Sequence, residues 1–243
     1  MSFNGVAWTI SNEAFFYMLF PLVIVFRDKF LAWFALTSLI VVACIVLGNR
    51  YGLGDPMASG SDWASVVHIW PPVRFLEFLA GMGTAMLVMR FGPRVKSGVV
   101  GWTVVEAVAL LIAAATVLPG IGYVGGISSL GPAAAYWGIY SAMFPAMALL
   151  IAVLAMSNGV LARVLSCKLL VFLGEISFST YMWHQLVYLI WLRNGWTDLT
   201  IYHYGSLLLT IYIVSVLSFY LIEKPPLSIA AWTRARRGAT ATA

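Results

Sequence analysis

Long apolar runs are the feature that most constrains what this chain of 243 residues can fold into. Seven stretches carry few charges and reach the roughly 20 residues that an α-helix needs to cross about 30 Å of hydrocarbon. Lipid offers a backbone no hydrogen bonds, so such stretches are expected to be helical. The sequence predicts an all-α fold, a polytopic membrane helix bundle with about seven transmembrane helices, near residues 8–26, 30–48, 72–89, 100–118, 133–156, 169–192 and 200–222.

The composition agrees with a membrane protein. Hydrophobic residues make up 62% of the chain and charged residues 9%, against roughly 25% charged residues in a soluble domain. Cys44 and Cys167 lie in or beside apolar stretches without metal-ligand spacing, so we expect small core residues and neither a disulfide framework nor a metal site. We predict one membrane domain over residues 1–222 and a basic cytoplasmic tail over residues 223–243.

Basic residues are distributed unevenly between alternate loops. Eleven Lys and Arg residues lie on one predicted side and two, Arg50 and Arg193, on the other. Cytoplasmic loops retain Lys and Arg, so we predict an outward amino terminus and an inward carboxyl terminus. The net charge of +5 is explained by this rule, and no nucleic-acid partner is expected. The turn-rich segments 49–71 and 119–132 are predicted external loops, with His68 and His203 in or beside outer-side loops.

Ionisable side chains inside the predicted spans are candidate functional groups, because each costs at least about 2.5–3.5 kcal/mol to insert. The direction of the helices places Glu13, Arg74, Glu77 and His184 at a similar depth in the outer half. Each also has a structural interpretation. Glu13 could be a carboxylate that is favoured by a helix N-terminus, with Ser11 as the cap of that helix. Arg74 and Glu77 could form a neutral ion pair at i, i+3. His184 could be a core residue whose hydrogen bonds are satisfied within the protein.

Three further glutamates have weaker functional signals. Glu106 lies seven residues into its predicted span, and no partner for it is evident beyond a buried hydrogen bond. Glu175 and Glu223 lie toward the inner side and are expected at the membrane interface. Trp and Tyr are abundant, which is typical of interfacial aromatic belts.

Four motifs, in order along the chain, resemble those of the acyltransferase-3 family of integral membrane acyltransferases. Residues 8–21 (WTISNEAFFYMLFP) are similar to its Trp-Ser/Thr-Leu-Ser-x-Glu-x-x-Phe-Tyr-x-x-x-Pro signature. Residues 74–81 (RFLEFLAG) resemble its Arg-x-x-Glu-Phe-x-x-Gly helix. Residues 172–184 (FLGEISFSTYMWH) resemble its Leu-Gly-x-Ile-Ser-Tyr-Ser-x-Tyr-Leu-Trp-His motif, and residues 222–225 (IEKP) its closing Glu-Lys/Arg-Pro.

The resemblance implies an O-acyltransferase that moves an acyl group, most often acetyl, from acyl-CoA to a hydroxyl of a carbohydrate, such as an envelope polysaccharide or its lipid-linked glycan precursor. It implies no bound cofactor, acyl-CoA as donor substrate, contact with membrane lipid, and a bacterial inner membrane location. A hydroxyl nucleophile needs a general base, usually His, which a carboxylate can support. By analogy, the catalytic candidates are Glu13 and His184, and the substrate-binding candidates are Trp8, Ser11, Tyr17, Arg74, Glu77, Tyr181 and Trp183.

The chain departs from the family pattern at its start. Family members carry additional helices, the first with an Arg and a catalytic His, and no such helix precedes Trp8 in this sequence. The sequence therefore predicts a partial family domain that is inactive alone. Two alternatives stay open: a secondary transporter, which should show internal repeats and interrupted helices that the sequence lacks, and a non-catalytic membrane protein derived from a truncated acyltransferase.

Overall fold

A computed structural model describes residues 8–51, 63–92, 97–117, 127, 129–195 and 200–226, with the side chains of residues 63–65 and 117 left out. Within these ranges the chain is helical and contains no strand. The helices are α1 Trp8–Val25, α2 Phe30–Arg50, α3 Trp63–Ile69, α4 Pro71–Phe91, α5 Val99–Val117, α6 Pro132–Tyr140, α7 Phe144–Met156, α8 Val160–Leu165, α9 Lys168–Glu175, α10 Ser177–Arg193 and α11 Ile201–Ser218. A 3₁₀ turn, Arg27–Lys29, precedes α2, and a π-helical turn, Phe219–Glu223, follows α11.

The all-α membrane fold predicted from the apolar runs is confirmed. Six helical segments of the described chain are long and apolar enough to cross a membrane: 8–25, 27–50, 66–91, 99–116, 132–156 and 201–226. The predicted span at 133–156 is broken between α6, which ends at Tyr140, and α7, which begins at Phe144. The predicted span at 169–192 is also not one continuous helix, because α9 ends at Glu175 and α10 begins at Ser177. Gly174 and Ser177 flank this break, and both residue types are poor in helix interiors.

The described residues fall into two compact units, residues 8–166 and residues 167–226. In the first, α4 is central and packs against α1, α2 and α7. Val73 and Leu76 of α4 form one apolar cluster with Val41 and Cys44 of α2. On another side of α4, Phe75 and Leu79 pack against Val23 of α1. In the second unit, α10 packs against α11.

Two prolines shape the part of the first unit that holds the candidate site. Trp70 is extended, as expected for a residue before proline, and separates α3 from α4. Pro145, in the first turn of α7, cannot donate a hydrogen bond to Ser141 four residues earlier. The chain turns there between α6 and α7, and Phe144 N donates to Ser141 O instead. These breaks leave the backbone carbonyls of His68 and Tyr140 without the N–H donor that a continuous helix would supply.

The structure identifies the hydrogen-bond partners of Glu106, for which the sequence indicated none. Its carboxylate, on α5, accepts from Ser157 Oγ at 2.6 Å, Leu161 N at 2.9 Å and Ala162 N at 3.1 Å. The last two groups lie in the first turn of α8, where backbone N–H groups have no partner within the helix. Glu106 is 1% exposed, so it acts as a cap that joins α5 to α8.

The predictions for the two cysteines, for Ser11 and for the loops have different outcomes. Cys44 is buried as expected, but Cys167 is exposed, so the prediction of a core residue is wrong there. Cys167 directly precedes α9, beyond the apolar interior of a span. Ser11 lies inside α1, which begins at Trp8, so it does not cap that helix. Residues 52–62 of the first predicted external loop, residues 119–126 and 128 of the second, and the tail beyond residue 226 lie outside the described residues, while residues 63–69 of the first loop are helical.

Candidate active site

Arg74 is the centre of the polar cluster in the first unit. It is 8% exposed. Its Nη1 donates to Glu77 Oε1 at 2.6 Å, to Ser141 Oγ at 3.0 Å and to the Tyr140 carbonyl at 3.3 Å. On the other side, Nε donates to the His68 carbonyl at 2.5 Å and Nη2 to His68 Nδ1 at 2.7 Å. The buried guanidinium is therefore both ion-paired and hydrogen-bonded, as a buried charge requires.

The local sequence explains why His68 and Arg74 meet. In a continuous helix the His68 carbonyl would accept from the backbone N–H of residue 72, but residue 72 is a proline and has no such hydrogen. The break at Trp70 then lets α3 place that carbonyl and the imidazole beside Arg74. The Trp8 indole from α1 lies over the guanidinium, with 5.6 Å from Arg74 Cζ to the ring centroid.

His68 corrects an expectation from the sequence. It was predicted in or beside an outer loop, but it lies on α3 within the Arg74 cluster. Because a guanidinium only donates, His68 Nδ1 must accept, and the neutral imidazole carries its proton on Nε2. The ring also packs 4.1 Å from the ring of Tyr140, centroid to centroid. The signal that could have revealed this role is Pro72, which frees the His68 carbonyl.

A cavity of about 300 Å³ lies between α1 and α4, beside this cluster. Helix α4 contributes Arg74, Glu77 and Phe78, which are spaced at i, i+3 and i+4 and share one helix face. The rings of Phe16 and Phe78 stack with 4.9 Å between centroids and form an aromatic wall. Helix α1 contributes Trp8, Thr9, Asn12, Glu13 and Phe16.

The cavity brings together four of the predicted site residues: Trp8, Glu13, Arg74 and Glu77. Ser11 and Tyr17 also lie on α1 but are exposed and do not line this cavity. Asn12 and Ser141 were not predicted as site residues. No group of three or more His, Cys, Asp and Glu side chains within the described ranges has the arrangement of a metal site.

The remaining predicted residues, Tyr181, Trp183 and His184, lie on α10 in the second unit. His184 Nδ1 is 2.6 Å from the carbonyl of Tyr181. A carbonyl only accepts, so Nδ1 carries the proton and the neutral ring has its lone pair on Nε2. His184 therefore differs from His68, whose unprotonated nitrogen is taken by Arg74. Nε2 of His184 takes no part in the hydrogen bond that Nδ1 makes within the helix.

Two sequence motifs that lie far apart in the chain meet in the second unit. Ser179 on α10 donates a hydrogen bond to the carboxylate of Glu223, in the π-helical turn after α11. Ser179 is 1% exposed. The Lys224 ammonium lies 4.5 Å from the ring centroid of Tyr220 in the same turn. Single π-helical turns of this kind are common at functional sites.

Apolar helices around a buried, ion-paired arginine beside a polar cavity define an integral membrane protein with an enzyme-like site. Residues 1–222 match a family model described as an acyltransferase domain, that of the acyltransferase-3 family. The chain belongs to this family and is a membrane acyltransferase of the O-acyltransferase type. Searches of curated proteins and of solved structures give no match.

Proposed function

We propose that this acyltransferase moves an acyl group, acetyl in the first instance, from acyl-CoA to a hydroxyl of a carbohydrate such as an envelope polysaccharide or its lipid-linked precursor. We also propose a bacterial inner membrane location with a cytoplasmic carboxyl terminus. The observation that supports the activity best is the placement of Glu13, Arg74 and Glu77 around one cavity in a chain of this family. A carboxylate and a held cation beside open volume are what proton transfer and charge stabilisation need.

The reaction requires one proton to leave the attacking hydroxyl. The hydroxyl oxygen forms a bond to the acyl carbon, the C–S bond of the thioester breaks, and the proton passes through a base to the departing CoA thiolate. By the family resemblance, the base is the catalytic His of a further family helix, and we propose that His184, whose Nε2 lone pair lies outside its hydrogen bond to Tyr181, binds acceptor or donor. Glu13 is proposed as the carboxylate that supports proton transfer, and the Arg74–Glu77 pair as the element that shapes the site.

The remaining predicted residues are proposed to bind substrate. Trp8 borders the cavity and covers Arg74. Tyr181 and Trp183 precede His184 on α10. Ser11 and Tyr17, on the exposed side of α1, are proposed to contact substrate outside the cavity. No bound cofactor is needed for this chemistry, because acyl-CoA is consumed as a substrate.

The test is acyl transfer in membranes of cells that carry each variant at the native gene locus. Acetyl-CoA labelled in its acetyl group is the donor, and envelope polysaccharide stripped of esters by mild alkali is the acceptor. Glu13→Gln and His184→Ala are each expected to lower transfer by about 10²- to 10⁴-fold, the usual cost of losing a positioned acid or base.

A matched control is Thr37→Val. Thr37 is 3% exposed, and its hydroxyl donates to the Trp33 carbonyl within α2, so its replacement should leave transfer unchanged. Near-normal transfer by both Glu13→Gln and His184→Ala, at equal amounts of protein in the membrane, would show that these two residues have structural rather than catalytic roles.

A further inference from the structure

Asn12 carries a buried polar atom whose hydrogen bonding the protein leaves incomplete. The residue is 5% exposed and lines the cavity between α1 and α4. Its Oδ1 is buried and has no hydrogen-bond partner among the described residues. An unsatisfied buried amide group costs about 1–3 kcal/mol, and native proteins keep few of them. A ligand in the cavity can supply the missing donor when the Asn12 amide turns toward it, because Oδ1 itself is closed to solvent in the described structure.

The strongest donor at the cavity is already in use. Arg74 also lines it, but its Nη1 is directed to Glu77, Ser141 and Tyr140, while Nε and Nη2 are directed to His68. Redirecting the guanidinium to Asn12 would break contacts that hold a buried charge. Each nitrogen of the guanidinium thus already donates to another group, and none of these hydrogen bonds goes to Asn12 Oδ1.

The cavity wall as a whole favours a neutral ligand that is rich in hydroxyl groups. Glu13, Glu77 and Asn12 Oδ1 are hydrogen-bond acceptors, and the wall has two carboxylates and a single guanidinium. Such a wall repels the phosphates of CoA and accepts from O–H groups. Trp8, Phe16 and Phe78 add apolar ring surface, which suits the C–H face of a sugar ring.

We propose that the cavity between α1 and α4 is the acceptor subsite, that it holds one sugar ring, and that Asn12 Oδ1 accepts a hydrogen bond from a hydroxyl next to the one that is acylated. This assignment rests on the proposed function. The thioester of acyl-CoA has only acceptor atoms, and its nearest donor is the amide N–H two carbons beyond the sulfur, whereas a sugar places hydroxyl donors directly beside the hydroxyl that reacts. Asn12 is then a specificity-determining residue.

The experiment measures initial rates in membranes from cells that carry each variant at the native locus. The concentration of ester-stripped envelope polysaccharide is varied at a fixed concentration of labelled acetyl-CoA, and then the reverse. Asn12→Leu keeps the approximate shape and removes the amide, and Asn12→Ala removes the amide without added bulk. Both are expected to raise KM for the polysaccharide about tenfold, the equivalent of one lost hydrogen bond, and to leave KM for acetyl-CoA unchanged. Thr37→Val should change neither constant.

The outcomes separate the two proposals. A raised KM for acetyl-CoA, with an unchanged KM for polysaccharide, would overturn the acceptor subsite while the proposed function stands. Unchanged constants in both Asn12 variants would do the same. No transfer in membranes with the unaltered protein would overturn the proposed function itself. If Asn12→Leu does not insert, Asn12→Ala decides alone.

Discussion

His68 Nδ1 and Arg74 Nη2 lie 2.7 Å apart, across the break between α3 and α4. The contact fixes which nitrogen of His68 is unprotonated and turns the imidazole into a support for the guanidinium. Arg74 is held on its other side by Glu77 and Ser141, so its position depends on α3, on α4 and on the turn between α6 and α7.

The first prediction concerns this support. His68→Ala should leave a buried N–H of Arg74 without an acceptor and destabilise the protein by about 1–3 kcal/mol. In His68→Asn, the side-chain oxygen can occupy the place of Nδ1, so a smaller loss is expected. Thermal unfolding midpoints in detergent micelles provide the measurement. Equal midpoints for His68→Ala and the unaltered protein would show that the contact contributes no stability.

A second prediction concerns the cap that Glu106 provides for α8. Glu106→Gln replaces one acceptor oxygen with an NH₂ group among three donors, so a loss of about 1–3 kcal/mol is expected. Glu175→Gln, at an exposed position, is the matched control and should shift stability by no more than about 0.5 kcal/mol. Thermal unfolding in micelles distinguishes the two, and indistinguishable midpoints would contradict the capping role.

Gly159 gives a third prediction in the same region. A Cβ at this residue would lie 2.6 Å from Glu106 Oε1, closer than nonbonded atoms approach. Gly159→Ala should therefore displace the carboxylate and lower the unfolding midpoint. In the double variant Gly159→Ala with Glu106→Gln, the two losses should not add, because both disturb one contact. Additive losses would mean that Gly159 is needed for another reason.

The fourth prediction tests the contact between the third and fourth motifs. A double-mutant cycle with Ser179→Ala and Glu223→Gln should give a coupling energy of about 0.5–3 kcal/mol, as expected for a direct hydrogen bond. The control pairs Glu223→Gln with Ser206→Ala. Among the described residues, Ser206 Oγ donates to the carbonyls of Tyr202 and His203 in its own helix, so that pair should be additive. A coupling of zero for Ser179 and Glu223 would contradict the contact.

The last prediction is the orientation derived from the basic residues. A cysteine placed at Ser61, outside the described residues, should react with an impermeant reagent added outside, and one at Ser97 should not. Cys167 is exposed and is replaced by serine beforehand to remove background labelling. The opposite pattern would reverse the predicted topology.

The contacts of the site that could be predicted from the sequence are those between residues close together in the chain. Arg74 and Glu77 are three residues apart, and helical spacing alone brings them into contact. The role of His68 required the broken helix between α3 and α4, and the contact of Arg74 with Ser141 joins residues far apart in the chain. The predicted span at 169–192 was wrong as a single helix, because hydrophobicity does not register a break at Ile176 flanked by Gly174 and Ser177.

The sequence by itself determined the all-α membrane class, because the length of an apolar run and the need to satisfy backbone groups within it are local properties. It also determined the family, because each family motif is a short run of consecutive residues that can be recognised without the fold. Only the tertiary structure decided that Asn12 Oδ1 is buried without a hydrogen-bond partner among the described residues, that Glu106 caps α8 and that each nitrogen of the Arg74 guanidinium donates a hydrogen bond. These depend on how helices pack, and side chains distant in sequence meet only when that packing is complete.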